Sequence, residues 1–231
     1  MKEKISRIFS HEFSRNRFSK KQFSLCNQRS PIEADFSGSI TMNALHRCQW
    51  AQHDPIMQNY HDYEWGVPVR DSRALWEKLI LDGFQAGLSW RTILLKRDAF
   101  REAFEGFVPE HIAEYNEADI ERLLGNTAIV RSRIKIRAAI QNAKAYLEIQ
   151  RRGEDFSAFV WKMVDDQPLK GDGTGSATRS VTGDRLSKEL KNRGFSFVGP
   201  IIVHAWLQAT GVINDHEAQC FLCDVITVDG D

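Results

Sequence analysis

The chain has 231 residues, 42% of them hydrophobic, and its 31 basic side chains balance 31 acidic ones. That length and apolar content suffice for one large domain or two small ones, and the balance excludes a globally basic nucleic-acid coat. No apolar run approaches the ~18–20 residues of a membrane span, and the four cysteines, Cys26, Cys48, Cys220 and Cys223, are too few for a disulfide framework at this size. The expectation is a soluble protein of a reducing compartment, with thiols free to bind metal.

Residues 1 to about 41 carry little hydrophobic pattern and are rich in Ser, Arg and Lys, so they read as a disordered basic arm. Such a composition also suits organellar targeting, which Glu3 and Glu12 weaken. Alternatively, Met42 is the natural start. A helical domain is expected over 42–223, followed by a short tail at 224–231.

From Cys48 onward the signals are helical. Asp54-Pro55 reads as an N-cap with Pro at the first helical position, and Asp71 precedes Ala74, Leu75, Leu79 and Ile80 at helical spacing. Gly83 and Gly87 are expected to loosen the chain around Phe84, Gln85 and Ala86. Helices are then predicted over Thr92 to Phe104, briefly after Pro109, and over Asp119 to Leu124. A further helix carries the stripe Ile136, Ile140, Ala143 and Leu147 through a basic stretch. The last two form a helical hairpin over about 123–143, closed around Gly125 to Val130. A helix follows around Phe156 to Val164; Pro168 to Gly183 reads as a loop; Asp184 to Arg193 is helical, and Gly199-Pro200 opens an apolar helix closed by Gly211. With no convincing strand ladder, the fold class is all-α.

Three constellations carry chemistry. Cys48, His61, His216 and Cys220 offer two thiolates and two imidazoles, the donor types of tetrahedral zinc. Spacing alone leaves them open as unrelated buried residues, with Cys223 a rival ligand and His53 and His204 lesser ones. Trp50, Tyr60, Trp65 and Trp90 offer flat faces around Asp82, whose carboxylate could accept from an exocyclic amine or favour a cationic ring. The plainer alternative makes the tryptophans core and Asp82 a turn cap. Finally, Arg131, Arg133, Lys135, Arg137, Lys144, Arg151 and Arg152 stand against one acid, Glu148, between Asn126 and Arg152. That segment either meets phosphates or is a solvated helix face.

The segments RCQWAQHDP, YHDYEWGVPVRDSRALWE, QAGLSWRTILLKR, IVRSRIKI, LSKELKNRGFSFVGP and GVINDHEAQC, in this order over about residues 47 to 220, resemble the 3-methyladenine DNA glycosylase I family, a zinc-containing branch of the helix-hairpin-helix glycosylases. The resemblance implies a helical fold in two parts with the base pocket between them. It also implies a structural zinc at Cys48, His61, His216 and Cys220, joining the N- and C-terminal segments. Tyr60 and Trp90 would stack on the extruded base. Asp82 stands where the family has a glutamate that reads the adenine edge, and Met57 where it has a tyrosine. Gly87 and Leu88 would fill the gap in the duplex, and the hairpin, with Arg131, Arg133 and Lys135, would grip phosphates.

The implied activity is base-excision repair: hydrolysis of the N-glycosidic bond of alkylated purines in double-stranded DNA, chiefly 3-methyladenine, by a monomeric, cytoplasmic, monofunctional glycosylase. Two departures fall in the pocket. Asp for Glu shortens the carboxylate by one methylene, and Met for Tyr removes a hydroxyl. They keep open an alternative of another class, a catalytically weakened or altered-specificity lesion binder. A zinc-stabilised helical protein without nucleic acid is a third reading, which the basic hairpin opposes.

Overall fold

The computed structural model describes residues 45–224. The expected arm, and the expected tail beyond Asp224, lie outside the described residues. The expected helices are present: α1 (Pro55–Tyr63), α2 (Ser72–Gln85), α3 (Trp90–Ala103), α4 (Pro109–Ala113), α5 (Glu117–Gly125), α6 (Arg133–Arg151), α7 (Phe156–Trp161), α8 (Val181–Asn192) and α9 (Pro200–Ala209). Short 3-10 turns at Gln49–Ala51, Glu105–Phe107 and Lys162–Val164 lie between them.

Local chemistry sets most of the starts. The Asp54 carboxylate accepts from the Ile56 and Met57 amides with Pro55 at the first position, and Asp71 accepts from Ala74 N at 2.7 Å. Asn116 and Asp119 close a reciprocal capping box on α5, and Asp155 and Ser180 cap α7 and α8.

α2 is the axis of the fold. Leu75, Trp76, Leu79, Ile80, Leu81 and Phe84 are all buried along it, and it packs against α3, α6, α7 and α9. Burial of each such side chain is worth roughly 1.5–3 kcal/mol. Polar edges are satisfied in the same core: Trp206 Nε1 donates to Leu75 O (3.0 Å), Trp76 Nε1 to Asn142 O (3.3 Å) and Trp161 Nε1 to Val69 O (2.8 Å). A second, smaller cluster gathers Cys48, Cys220 and Leu222 under Trp50, Trp65 and Phe221.

Two expectations need correction. Gly83 does not loosen the chain: α2 runs through it to Gln85, and a Cβ there would stand 3.6 Å from Phe197 Cβ, so the glycine serves close packing. Pro168 to Gly183 is not wholly loop. Leu169–Lys170 (β1) pairs in parallel with Ile213–Asn214 (β2), and Val181 to Gly183 form the first turn of α8. Four paired residues leave the protein mostly helical. Gly211, at φ +68°, ends α9 where a Cβ would meet Pro68 N at 2.4 Å, so glycine is required there. Among the described residues no helix is long and apolar enough to cross a membrane.

Candidate active site and metal group

Tyr60 ends up over the buried end of α2 because α1 presents it with Met57, one turn earlier on the same helix face. Tyr60 and Asp82 are buried; Met57 and Trp90 are half-buried. The Tyr60 and Trp90 ring centroids are 5.4 Å apart with planes at 45°. A base sandwiched between parallel rings needs about 7 Å, two van der Waals contacts. The two rings therefore make an angled corner, not the flat slot the motif suggests.

Two polar atoms around this corner lack partners. Asp82 Oδ2 and Trp90 Nε1 are buried without a hydrogen bond. Leaving such groups unpaired costs about 1–3 kcal/mol each, so an acceptor and a donor held this way mark a place prepared for a polar ligand. Burial pushes the Asp82 carboxyl up to about 7, while the charge on Lys78 works in the opposite direction. Asp82 is thus a core carboxyl on a continuous helix and not the cap of a turn.

Beyond α2 the chain turns through Gly87 at φ +80°, which exposes Leu88 (42% exposed) before Ser89 caps α3. The hairpin lies beside this turn. Lys135, expected at phosphates, instead reaches inward, and its Nζ donates to Phe84 O (2.9 Å) and Ala86 O (2.6 Å), closing the C-terminus of α2. Arg133 is paired with Glu117 and Glu121, whereas Arg131 is exposed with no hydrogen bond among the described residues. Lys96 Nζ, a contact sequence reasoning missed, donates to Ala128 O (2.9 Å) in the hairpin turn. Ser132 supplies no side-chain cap to α6.

The four expected metal ligands come together. Their donor atoms lie within 4.8 Å of one another, and all four residues are buried. Cys48 Sγ to His216 Nδ1 is 3.5 Å, Cys220 Sγ to His61 Nε2 is 3.4 Å, and Cys220 Sγ to His216 Nδ1 is 3.5 Å. Zinc bond lengths of ~2.3 Å to sulfur and ~2.0–2.1 Å to nitrogen at tetrahedral angles put S and N about 3.5 Å apart, so the donor set fits a tetrahedral ion. Its hydrogen bonds from Cys48, His216 and His61 hold the Cys220 thiol well below its ordinary value. Cys223, His53 and His204 fall outside the group; His204 instead ties Ser180 Oγ (3.0 Å) and Ala177 O (3.1 Å). Asp62, unremarked in the sequence, lies 2.8 Å from His61 Nδ1 and is held by Arg47 at 2.7 Å, an outer carboxylate that orients a ligand imidazole.

Trp50 and Trp65 pack on this group. Trp65 stands edge-on to His216 (4.6 Å, 89°), and Trp50 lies 5.2 Å from His61 and 6.3 Å from Tyr60. Backbone bonds reinforce the tie between distant segments: Phe221 N donates to His46 O (2.9 Å), and Gln49 N donates to the Glu217 carboxylate (2.8 Å). The group thus joins two ends of the fold beneath the aromatic corner.

This helical frame, with its aromatic corner, buried carboxyl and Cys/His group, has relatives throughout its length. A family model described as methyladenine glycosylase matches residues 50–223, and the chain belongs to that family. It is 46% identical over 179 residues to DNA-3-methyladenine glycosylase 1 of Escherichia coli (strain K12), covering 76% of this chain and 96% of the relative. The DNA-3-methyladenine glycosylase of Haemophilus influenzae is 42% identical over 177 residues, 75% of this chain and 96% of its own. A solved structure of the Staphylococcus aureus 3-methyladenine DNA glycosylase I, described as the structural basis of 3-methyladenine recognition, superposes with a TM-score of 0.73 at 39% identity, covering 77% and 96% of the two chains.

Proposed function

We propose that this chain is a DNA-3-methyladenine glycosylase of base-excision repair, which hydrolyses the N-glycosidic bond of alkylated purines in duplex DNA and leaves an abasic site without cutting the strand. The observation that carries this reading is the pair of unpartnered buried atoms, Asp82 Oδ2 and Trp90 Nε1, beside the Tyr60–Trp90 corner.

A purine methylated at N3 already bears positive charge, so its bond to C1′ is primed to break and the protein supplies a modest part of the barrier. Leu88 enters the duplex as the nucleotide leaves the stack. The base rests in the angle between Tyr60 and Trp90, with Met57 against its edge, and Asp82 accepts from the exocyclic amine. As C1′–N9 breaks, its electron pair neutralises the ring cation, and water adds to C1′. Stacking favours the cation over normal adenine.

Trp50 and Trp65 back Tyr60 and join it to the metal group. The group holds a structural Zn2+ through Cys48, His61, His216 and Cys220; when bound, the ion supplies a covalent tie between the chain segments. The two helices around 126–132 act as a helix-hairpin-helix element, with the uncapped amides of α6, Gly87 and Arg131 facing phosphates and Arg133 recruited from its acidic partners. Lys135 holds the Leu88 turn. The protein works as a cytoplasmic monomer.

The test is release of free base from methylated duplex by wild type, Asp82→Glu and Met57→Tyr. Release of 3-methyladenine by wild type is expected; none from any of the three would refute the reading. Release only by the substituted proteins would favour the second reading, an altered-specificity lesion binder, which Met57 and Asp82 motivate.

A further inference from the structure

Lys78 stands on α2 one turn before Asp82, so both side chains leave the same face of the helix. Its ammonium lies 4.9 Å from the centroid of Tyr60, and Lys78 has no hydrogen bond or ion pair among the described residues. The residue is half-buried. Burial lowers its pKa, opposed by the charges of Glu64, Asp82 and Glu77, while Arg97 adds to the lowering.

The charged groups facing this pair come from three helices. α1 presents Tyr60 and Glu64, α2 presents Glu77, and α3 presents Arg97. Glu64 is already engaged, since Arg97 donates to its carboxylate at 3.0 Å. Glu77 is likewise bound to Arg101 at 2.8 Å. What remains unsatisfied around the corner is one acceptor, Asp82 Oδ2, and two donors, Trp90 Nε1 and the Lys78 ammonium.

A lone carboxylate in a buried pocket selects for positive charge. A carboxylate with an ammonium one turn away has no net charge and selects instead for a neutral edge that carries both an acceptor and a donor. We propose that Lys78 is a specificity-determining residue of the base pocket, converting the Asp82 site into a donor–acceptor pair that admits uncharged damaged purines as well as cationic ones. This rests on the glycosylase reading above and concerns the substrate class of the same site. A 6-oxopurine fits it, with O6 accepting from Lys78 and N1–H donating to Asp82.

An uncharged base also lacks the charge that makes 3-methyladenine a ready leaving group, and the same ammonium meets that need. As C1′–N9 breaks, the bonding pair leaves with the base, which takes a proton from Lys78. Water adds its oxygen to C1′ and returns a proton to the Lys78 amine, so the sum is hydrolysis.

The experiment measures single-turnover release of 3-methyladenine and of hypoxanthine from otherwise identical duplexes, using the full chain and its Lys78→Met and Lys78→Arg variants. Wild type is expected to release both. In Lys78→Met the ratio of 3-methyladenine to hypoxanthine release should rise at least about tenfold. Lys78→Arg keeps the charge but holds its proton tightly, and should show the same direction of change even if Lys78→Met fails to fold. Wild-type hypoxanthine release should also fall at alkaline pH, starting below the ordinary lysine range, with no matching fall for 3-methyladenine. The proposal is overturned if wild type frees 3-methyladenine but no hypoxanthine, or if the variants change both rates equally. Release of neither base by wild type would instead overturn the glycosylase reading itself.

Discussion

Replacing Asp82 by asparagine isolates the cost of keeping a carboxylate in the core. The side chain is 4% exposed, Oδ2 has no partner, and burial lifts the carboxyl from 3.8 to about 7. A carboxyl raised in the folded state contributes stability that is complete below its unfolded pKa and is lost as pH rises through the folded one. Each tenfold change in a protonation equilibrium is worth about 1.4 kcal/mol, so the ionised Asp82 costs the fold on the order of 4 kcal/mol by pH 8.5, of which about 3 kcal/mol accrues above pH 5. An amide in its place has no such dependence. Urea unfolding of wild type and Asp82→Asn, followed by circular dichroism at pH 5 and pH 8.5, should therefore show the variant gaining on wild type by about 3 kcal/mol across that interval. The same substitution should slow 3-methyladenine release in single-turnover assays, a stability gain made at the expense of function. A stability gap that is flat with pH would refute the buried high-pKa carboxyl, and unchanged excision would refute its role at the base.

Three further outcomes are expected. The purified protein should hold about one zinc per chain by elemental analysis, and Cys220→Ser should lose it together with several kcal/mol of stability; full metal content in the variant would assign the ion elsewhere. Leu88→Ala, at an exposed turn, should leave thermal unfolding within about 0.5 kcal/mol of wild type yet slow excision from duplex more than from single strands. Arg131→Gln should lower the slope of log affinity against log salt by about one for duplex containing an abasic analogue. Lys135→Met, by contrast, should cost about 1–3 kcal/mol of stability through the lost α2 cap, with little change in that slope; the reverse pattern would return Lys135 to the phosphates.

Much of the helical frame was legible because its determinants are local. Asp54-Pro55, Asp71 before Leu75 and Leu79, and Gly199-Pro200 each specify a start from neighbouring residues, and the structure begins α1, α2 and α9 there. The parallel pairing of Leu169–Lys170 with Ile213–Asn214 was not legible, since two-residue strands have no period and their partners are far apart in the chain. Gly83 misled for a related reason. Its neighbour Phe197, more than a hundred residues on, makes a small residue fit a continuous helix.

By itself, then, the sequence determined the all-α class, the order of the helices and, through its resemblance to a known family, the four Cys and His ligands and the Tyr60, Asp82 and Trp90 set. Only the tertiary structure separated Cys220 from Cys223 on geometric grounds, turned Lys135 inward, placed Trp65 on His216, and set Lys78 over Tyr60 beside Asp82. Caps and periods act within one helical turn, whereas the charge, orientation and pairing of a buried side chain depend on whichever distant segments the core brings against it.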